Sequence, residues 1–271
     1  MNRPVKCFIV EGESRDLRFI KRMTGIFFKG KYEAVVINLP AAQNIYMLYQ
    51  KMQKDSFETD VIELLREDVE EARKALDGVD RQSIDEVYLF FDYDLHENNL
   101  SNNQDPLSVL GRMIRFFDNE TENGKLYISY PMVEALYDFK DGQCEPYTMC
   151  WLPQEKFGVY KTMAGNGNRH ASTHLDNYGE WCMMLSIFGL RVKCLFDTEK
   201  IDYVYYTENV TVESIYNRQN ELFKKKNAIL VLSAFPEFLF DYFQYKFWRK
   251  YFNRRKMAGD HCPKGNVPSK T

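Results

Sequence analysis

No stretch of the 271 residues approaches the about 18 to 20 consecutive apolar residues that a helix needs to cross a bilayer. The N-terminal segment lacks the design of a secretory signal, because an acid, Glu11, arrives early. These two absences lead us to expect a cytoplasmic protein without a membrane partner. An excess of positive charge is missing as well. With 36 Lys and Arg against 39 Asp and Glu, the formal net charge is -3, so the chain has no global basic field and any nucleic-acid contact must be local. Six cysteines, at 7, 144, 150, 182, 194 and 262, contain no CxxC pair. A chain with 45% hydrophobic residues has core enough without staples, so reduced thiols are expected. Cys144, Cys150, His170 and His174 match the spacing of no compact zinc module. The GxxxxGK(S/T) wording of a phosphate cradle is absent too, which argues against an ATP site of that type.

Two short runs carry the chemistry. Residues 7–12 (CFIVEG) and 87–94 (VYLFFDYD) are unbroken apolar segments that stop on carboxylates. Such runs suit parallel strands buried on both faces, and ligand sites in open α/β sheets lie beyond the carboxyl ends of those strands. If the two strands are neighbours about 4.8 Å apart, Glu11 meets Asp92 and Asp94, which point the same way from the next strand. Two like charges about 4 Å apart repel by about 1 kcal/mol in water and about 4 kcal/mol at an effective dielectric near 20. A hard divalent ion removes that repulsion, and an all-oxygen ligand set suits Mg²⁺ or Mn²⁺ rather than zinc. The competing reading makes Glu11 a loop-start acid and Asp92 and Asp94 caps of the following turn.

The order and wording of the runs resemble the TOPRIM domain of topoisomerases, primases, the overcoming-lysogenization-defect nucleases and small nuclease-like proteins of bacterial phage-defence operons. The resemblance covers about residues 5–140 and rests on FIVEGES, an intervening helical segment, and the strand ending Asp92-Tyr93-Asp94. It implies an α/β fold, a mostly parallel sheet flanked by helices, with Glu11, Asp92 and Asp94 as catalytic residues that hold Mg²⁺ or Mn²⁺ for phosphoryl transfer. Gly12 fits the tight strand-to-helix turn of the family. Arg15, with Asp16 beside it, stands where an acid often follows the first glutamate, and Leu95 where a glycine or acid often follows the aspartates. Small TOPRIM-like defence proteins often carry a strand, a proline and a glutamate after the aspartate motif. Residues 124–134 (GKLYISYPMVE) match that order, which makes Glu134 a candidate fourth metal ligand. A glutamate there is also favoured by the dipole of a helix opened by Pro131.

The resemblance further implies a metal-dependent endonuclease acting on RNA or DNA, an effector in anti-phage defence, with a partner ATPase. The alternative is a non-catalytic metal- or nucleotide-binding module, or an interaction subunit of an ATPase-containing defence complex. The sequence leaves a homo-oligomeric state open.

Spacing predicts a helix from Ser14 to about 28, a strand over 33–39, a helix near 44–53 and one charged helix over about 58–76 with a solvated face. These lead to the motif strand 85–94, a helix over 106–117 and a strand over 126–129. The expected organisation is a metal-binding domain over 1–140 with a helical insertion at about 41–80, an additional C-terminal α/β or helical lobe over 141–258, and a loose tail over 259–271. The polar loop 96–105 supplies His96 as an accessory proton carrier, ligand or phosphate contact. The Gly- and Asn-rich segment 160–168 reads as a phosphate-contacting loop with Lys161 and Arg169. Beyond it, 178–189 reads as helix, 228–233 as a buried strand and 235–252 as an aromatic-rich helix. Residues 245–256 (YKFWRKYFNRRK) alternate rings with cations. Lys246, Arg249, Lys250, Arg254 and Arg255 are candidates for gripping a nucleic-acid backbone. The same pattern also fits an amphipathic helix with its rings in the core, or a partner-docking face.

Overall fold

The computed structural model describes residues 3–12, 15–28, 30–40, 43–93, 95, 100, 104–138, 150–165 and 174–251, with backbone alone for 246, 247 and 249–251. The chain divides into two compact units, 1–128 and 129–271.

The first unit is an α/β layer structure. Strand β1 (Val5–Glu11) is followed by helix α1 (Arg15–Phe27), strand β2 (Glu33–Leu39), helices α2 (Ile45–Lys54), α3 (Val61–Asp68) and α4 (Glu70–Ala75), strand β3 (Ile84–Asp92), helix α5 (Pro106–Phe116), and strands β4 (Asp118–Asn119) and β5 (Gly124–Ser129). The mostly parallel sheet has the order β2-β1-β3-β5-β4. Strand β1 pairs in parallel with both β2 and β3, while β4 and β5 form an antiparallel pair. Because β1 lies inside the sheet, Val5 to Val10 are all buried, which accounts for the lack of alternation in its sequence. One face of the sheet carries a row of rings. Phe8 stacks on Tyr88 at 5.6 Å and on Phe90 at 6.4 Å, and Phe90 stacks on Tyr127 at 5.5 Å. On the opposite face Gly124 fits closely, for a Cβ there would lie 2.8 Å from Leu89 Cδ1.

Local chemistry sets the helix boundaries. The Asn44 side chain accepts from the N–H groups of Tyr46 and Met47 at the start of α2, and Asp105 accepts from Ser108 N–H ahead of Pro106 in α5. The continuous charged helix expected over 58–76 is two helices, broken at Val69, whose backbone is extended (φ -122°, ψ 116°). Val69 is buried while both helices keep exposed faces, so the break turns each short helix to bury its own apolar residues. The solvated character of this segment holds, with Lys74 and Glu70 paired at 2.6 Å on the surface.

The second unit contains strand β6 (Trp151–Pro153), helices α6 (Tyr160–Gly165), α7 (Tyr178–Leu195), α8 (Tyr203–Asn209) and α9 (Val212–Lys226), strand β7 (Ala228–Leu230) and helix α10 (Ala234–Tyr251). Strands β6 and β7 pair antiparallel. On the other side of β7, the buried Gln219 amide of α9 accepts from Leu230 N–H at 2.9 Å and donates to Leu230 O at 2.7 Å. Two residues on, Tyr130 and Leu232 exchange backbone hydrogen bonds of 2.7 and 2.9 Å. This pairing holds the chain extended at Tyr130. In place of the helix expected from Pro131, a single 3-10 turn, Val133–Leu136, follows.

The core of this unit is aromatic. Phe240 contacts Phe188 of α7 at 5.7 Å, Tyr206 of α8 at 5.6 Å and Trp248 at 5.0 Å. Helix α10 breaks at Gln244 (φ 46°, ψ -136°). Beyond the break Trp248 is buried while Tyr245 is exposed. Residues 160–165 are helical rather than loop; the rest of the expected Gly- and Asn-rich loop lies outside the described residues. Cys7, Cys150 and Cys182 are free thiols as expected, whereas Cys194 is disulfide-bonded, which corrects the expectation of wholly reduced cysteines. Among the described residues, no helix is long and apolar enough to cross a membrane.

Candidate functional site

The parallel pairing of β1 with β3 brings their carboxyl ends to one edge of the sheet. Val10 lies opposite Phe90, so Glu11 and Asp92 fall within one residue of each other along neighbouring strands. Across that offset, Glu11 Oε2 accepts a hydrogen bond of 3.2 Å from the Asp92 backbone N–H. Both residues are half-buried, each following a run of buried residues, Val5–Val10 on β1 and Val87–Phe91 on β3. The apolar runs thus place two acids at one sheet edge, and the aromatic row beneath them fixes the strands that carry them.

Gly12 follows Glu11 with φ +102°, a conformation that favours glycine. A Cβ at this position would lie 3.0 Å from Asp16 Oδ2. Asp16 occupies the first turn of α1, where a negative charge is favoured by the helix dipole. It is 6% exposed, a buried carboxylate against the turn that leaves the candidate site. Sequence reasoning noted Asp16 beside Arg15 without assigning it to the site. Its signal was the tight glycine turn, which draws the first turn of the helix back toward the strand end.

Asp94, the third carboxylate expected here, lies outside the described residues, as do His96, Arg169, Arg254 and Arg255. Among the described residues, no group of three or more His, Cys, Asp or Glu side chains is placed to hold a metal ion. The donors at hand, a glutamate and an aspartate on adjacent strand ends, are all oxygen and fit a hard cation in chemistry. Glu134 sits in the 3-10 turn of the second unit and is 2% exposed. In the same unit, the buried Tyr160 hydroxyl donates to Asp138 Oδ2 at 2.8 Å and the Arg191 guanidinium donates to the Asp138 carbonyl. Lys161 is exposed on α6, and Lys246, Arg249 and Lys250 belong to α10 past its break.

The chain matches no protein-family model, no curated protein and no solved structure.

Proposed function

We propose that this chain is a metal-dependent nuclease with a TOPRIM-like site at the carboxyl ends of β1 and β3, hydrolysing phosphodiester bonds in RNA or DNA. The observation that carries the reading is the Glu11 carboxylate held at the Asp92 N–H, which joins the two sequence motifs at one sheet edge. Glu11, Asp92 and Asp94 would hold Mg²⁺ or Mn²⁺. When bound, such an ion supplies charge that offsets the negative charge developing on a phosphodiester, and it acidifies water. The protein's own part is positional. The hydrogen bond at Oε2 orients Glu11 at the site, ready to accept a proton from an attacking water. The Gly12 turn lets α1 leave the strand end at once, which keeps the edge open to a substrate. His96, Lys161 and Arg169 are accessory phosphate or proton contacts in this reading, and Lys246, Arg249, Lys250, Arg254 and Arg255 contact nucleic acid. The wording of the motifs supports a cytoplasmic role as an anti-phage effector working with an ATPase.

The test is incubation of the purified chain with labelled RNA and DNA in Mg²⁺, Mn²⁺ or chelator, alongside Glu11→Ala and Asp92→Ala. Cleavage that needs the metal and both acids is expected. Binding without cleavage would replace the enzyme by a binding module, and neither, with an ATPase co-purifying, by an interaction subunit.

A further inference from the structure

Helix α1 starts four residues after Glu11, and its solvent side is basic. Its sequence, RDLRFIKRMTGIF, holds Arg15, Arg18, Lys21 and Arg22 against one acid, Asp16. At about 3.6 residues per turn, Arg15, Arg18 and Arg22 fall on one line and Lys21 lies beside it. The opposite side carries Asp16, Phe19, Ile20 and Met23, all buried. Arg18 and Lys21 are exposed, and Arg15 and Arg22 are half-buried. A concentrated positive stripe therefore begins at the candidate site of a chain whose net charge is negative. The apolar spacing of α1 was legible as a helix, but the uniform sign of its outer face becomes meaningful only once the helix is seen to start at the Glu11 turn.

We propose that this face of α1 seats the sugar-phosphate backbone of the nucleic-acid strand that enters the Glu11 and Asp92 site. The inference rests on the nuclease reading and names the surface that would deliver its substrate. Charge and length both favour a strand. The seven residue steps from Arg15 to Arg22 rise about 10 Å, which matches about three phosphates of a strand at about 3.4 Å each along a duplex. Phosphate contacts of this kind position a strand without reading its sequence. An acidic protein segment is the competing partner for such a stripe, and the experiment separates the two.

Binding of a labelled single-stranded RNA and of a duplex DNA is measured by fluorescence anisotropy from about 50 to about 200 mM salt. Ca²⁺ and chelator conditions are run in parallel so that the strand stays intact. The proteins are wild type, Arg18→Gln/Lys21→Gln, Arg18→Glu/Lys21→Glu, and Lys74→Gln as a control on exposed α4, with polyglutamate as competitor. Removing two phosphate contacts should flatten the slope of log affinity against log salt by about 1.4 for the single strand. Charge reversal should weaken binding further at every salt, on all sequences alike, while Lys74→Gln behaves as wild type. Unchanged affinity and slope in the double glutamine variant would overturn the proposal. So would absence of nucleic-acid binding by wild type, or polyglutamate binding to the stripe in preference to RNA. Wild type that binds through α1 without cleaving in Mg²⁺ would sink the nuclease reading and keep the seat. Cleavage indifferent to Arg18 and Lys21 would sink the seat alone.

Discussion

The Glu11 carboxylate takes a hydrogen bond from the backbone N–H of Asp92. That contact survives loss of charge, since a glutamine carbonyl can accept it as well. Glu11→Gln should therefore leave the melting temperature near that of wild type while cutting cleavage about 10²- to 10⁴-fold, the usual contribution of a positioned acid or base. Thermal denaturation and initial cleavage rates measured on one preparation would check this. A variant that melts much earlier would show Glu11 to be a structural strand cap.

Gly12→Ala tests the turn itself. An alanine there would have to keep φ near +102° and bring its methyl to 3.0 Å from Asp16 Oδ2, so a loss of about 1 to 3 kcal/mol is expected. Denaturant titration gives the number. Loss of cleavage at a temperature where the variant is still folded would tie the turn to the placement of Glu11.

Buried Lys6 of β1 pairs with Glu86 of β3, which also accepts from the Tyr88 hydroxyl at 2.6 Å. The Lys6 ammonium lies 4.2 Å from the centre of the Tyr32 ring. Glu86→Ala removes this carboxylate from the buried Lys6 ammonium and should destabilise the protein by about 3 kcal/mol, the low end for a buried pair because Glu86 keeps some solvent. Adding Lys6→Met should recover most of the loss in a double-mutant cycle.

Burial pushes the Cys7 thiol up from about 9 to about 12, with Arg81 opposing the shift and Asp60 adding to it. The native thiol stays protonated where the unfolded one ionises. The contribution is therefore fully present below about pH 9 and is lost as pH rises through about 12. Between those values the unfolded state holds fewer protons, so wild-type stability should fall more steeply with pH than that of Cys7→Ala. Cys7 should also resist thiol reagents at pH 8 until the chain unfolds, a second readout of the same burial.

How far the fold could be read in advance depended on how local its causes are. Strand β2 falls where 33–39 was expected, and β1 and β3 end within two residues of their anticipated limits, because uninterrupted apolar runs and the acids that stop them are contiguous signals. The break at Val69 has no such signal. The apolar residues Val61, Leu65, Val69, Ala72 and Leu76 continue a helical spacing straight through it, and no Gly or Pro marks the place. Pro131 misled in the opposite way. Proline suits a first helical turn, but the backbone exchange of Tyr130 with Leu232, about a hundred residues distant in sequence, prevails over that local preference. At the site, the acids could be picked from their strands, whereas the burial of Asp16 against Gly12 needed the turn in three dimensions.

The amide of Gln219 has a consequence for how copies of this protein behave together. An uncovered strand margin invites a neighbouring chain to zip onto it, the usual opening move of aggregation. On β7 the glutamine imitates one residue of a third strand at Leu230, and Tyr130 supplies the next rung at Leu232. The margin of β7 that would otherwise be adhesive is thereby covered from within by a single side chain and one stretch of main chain.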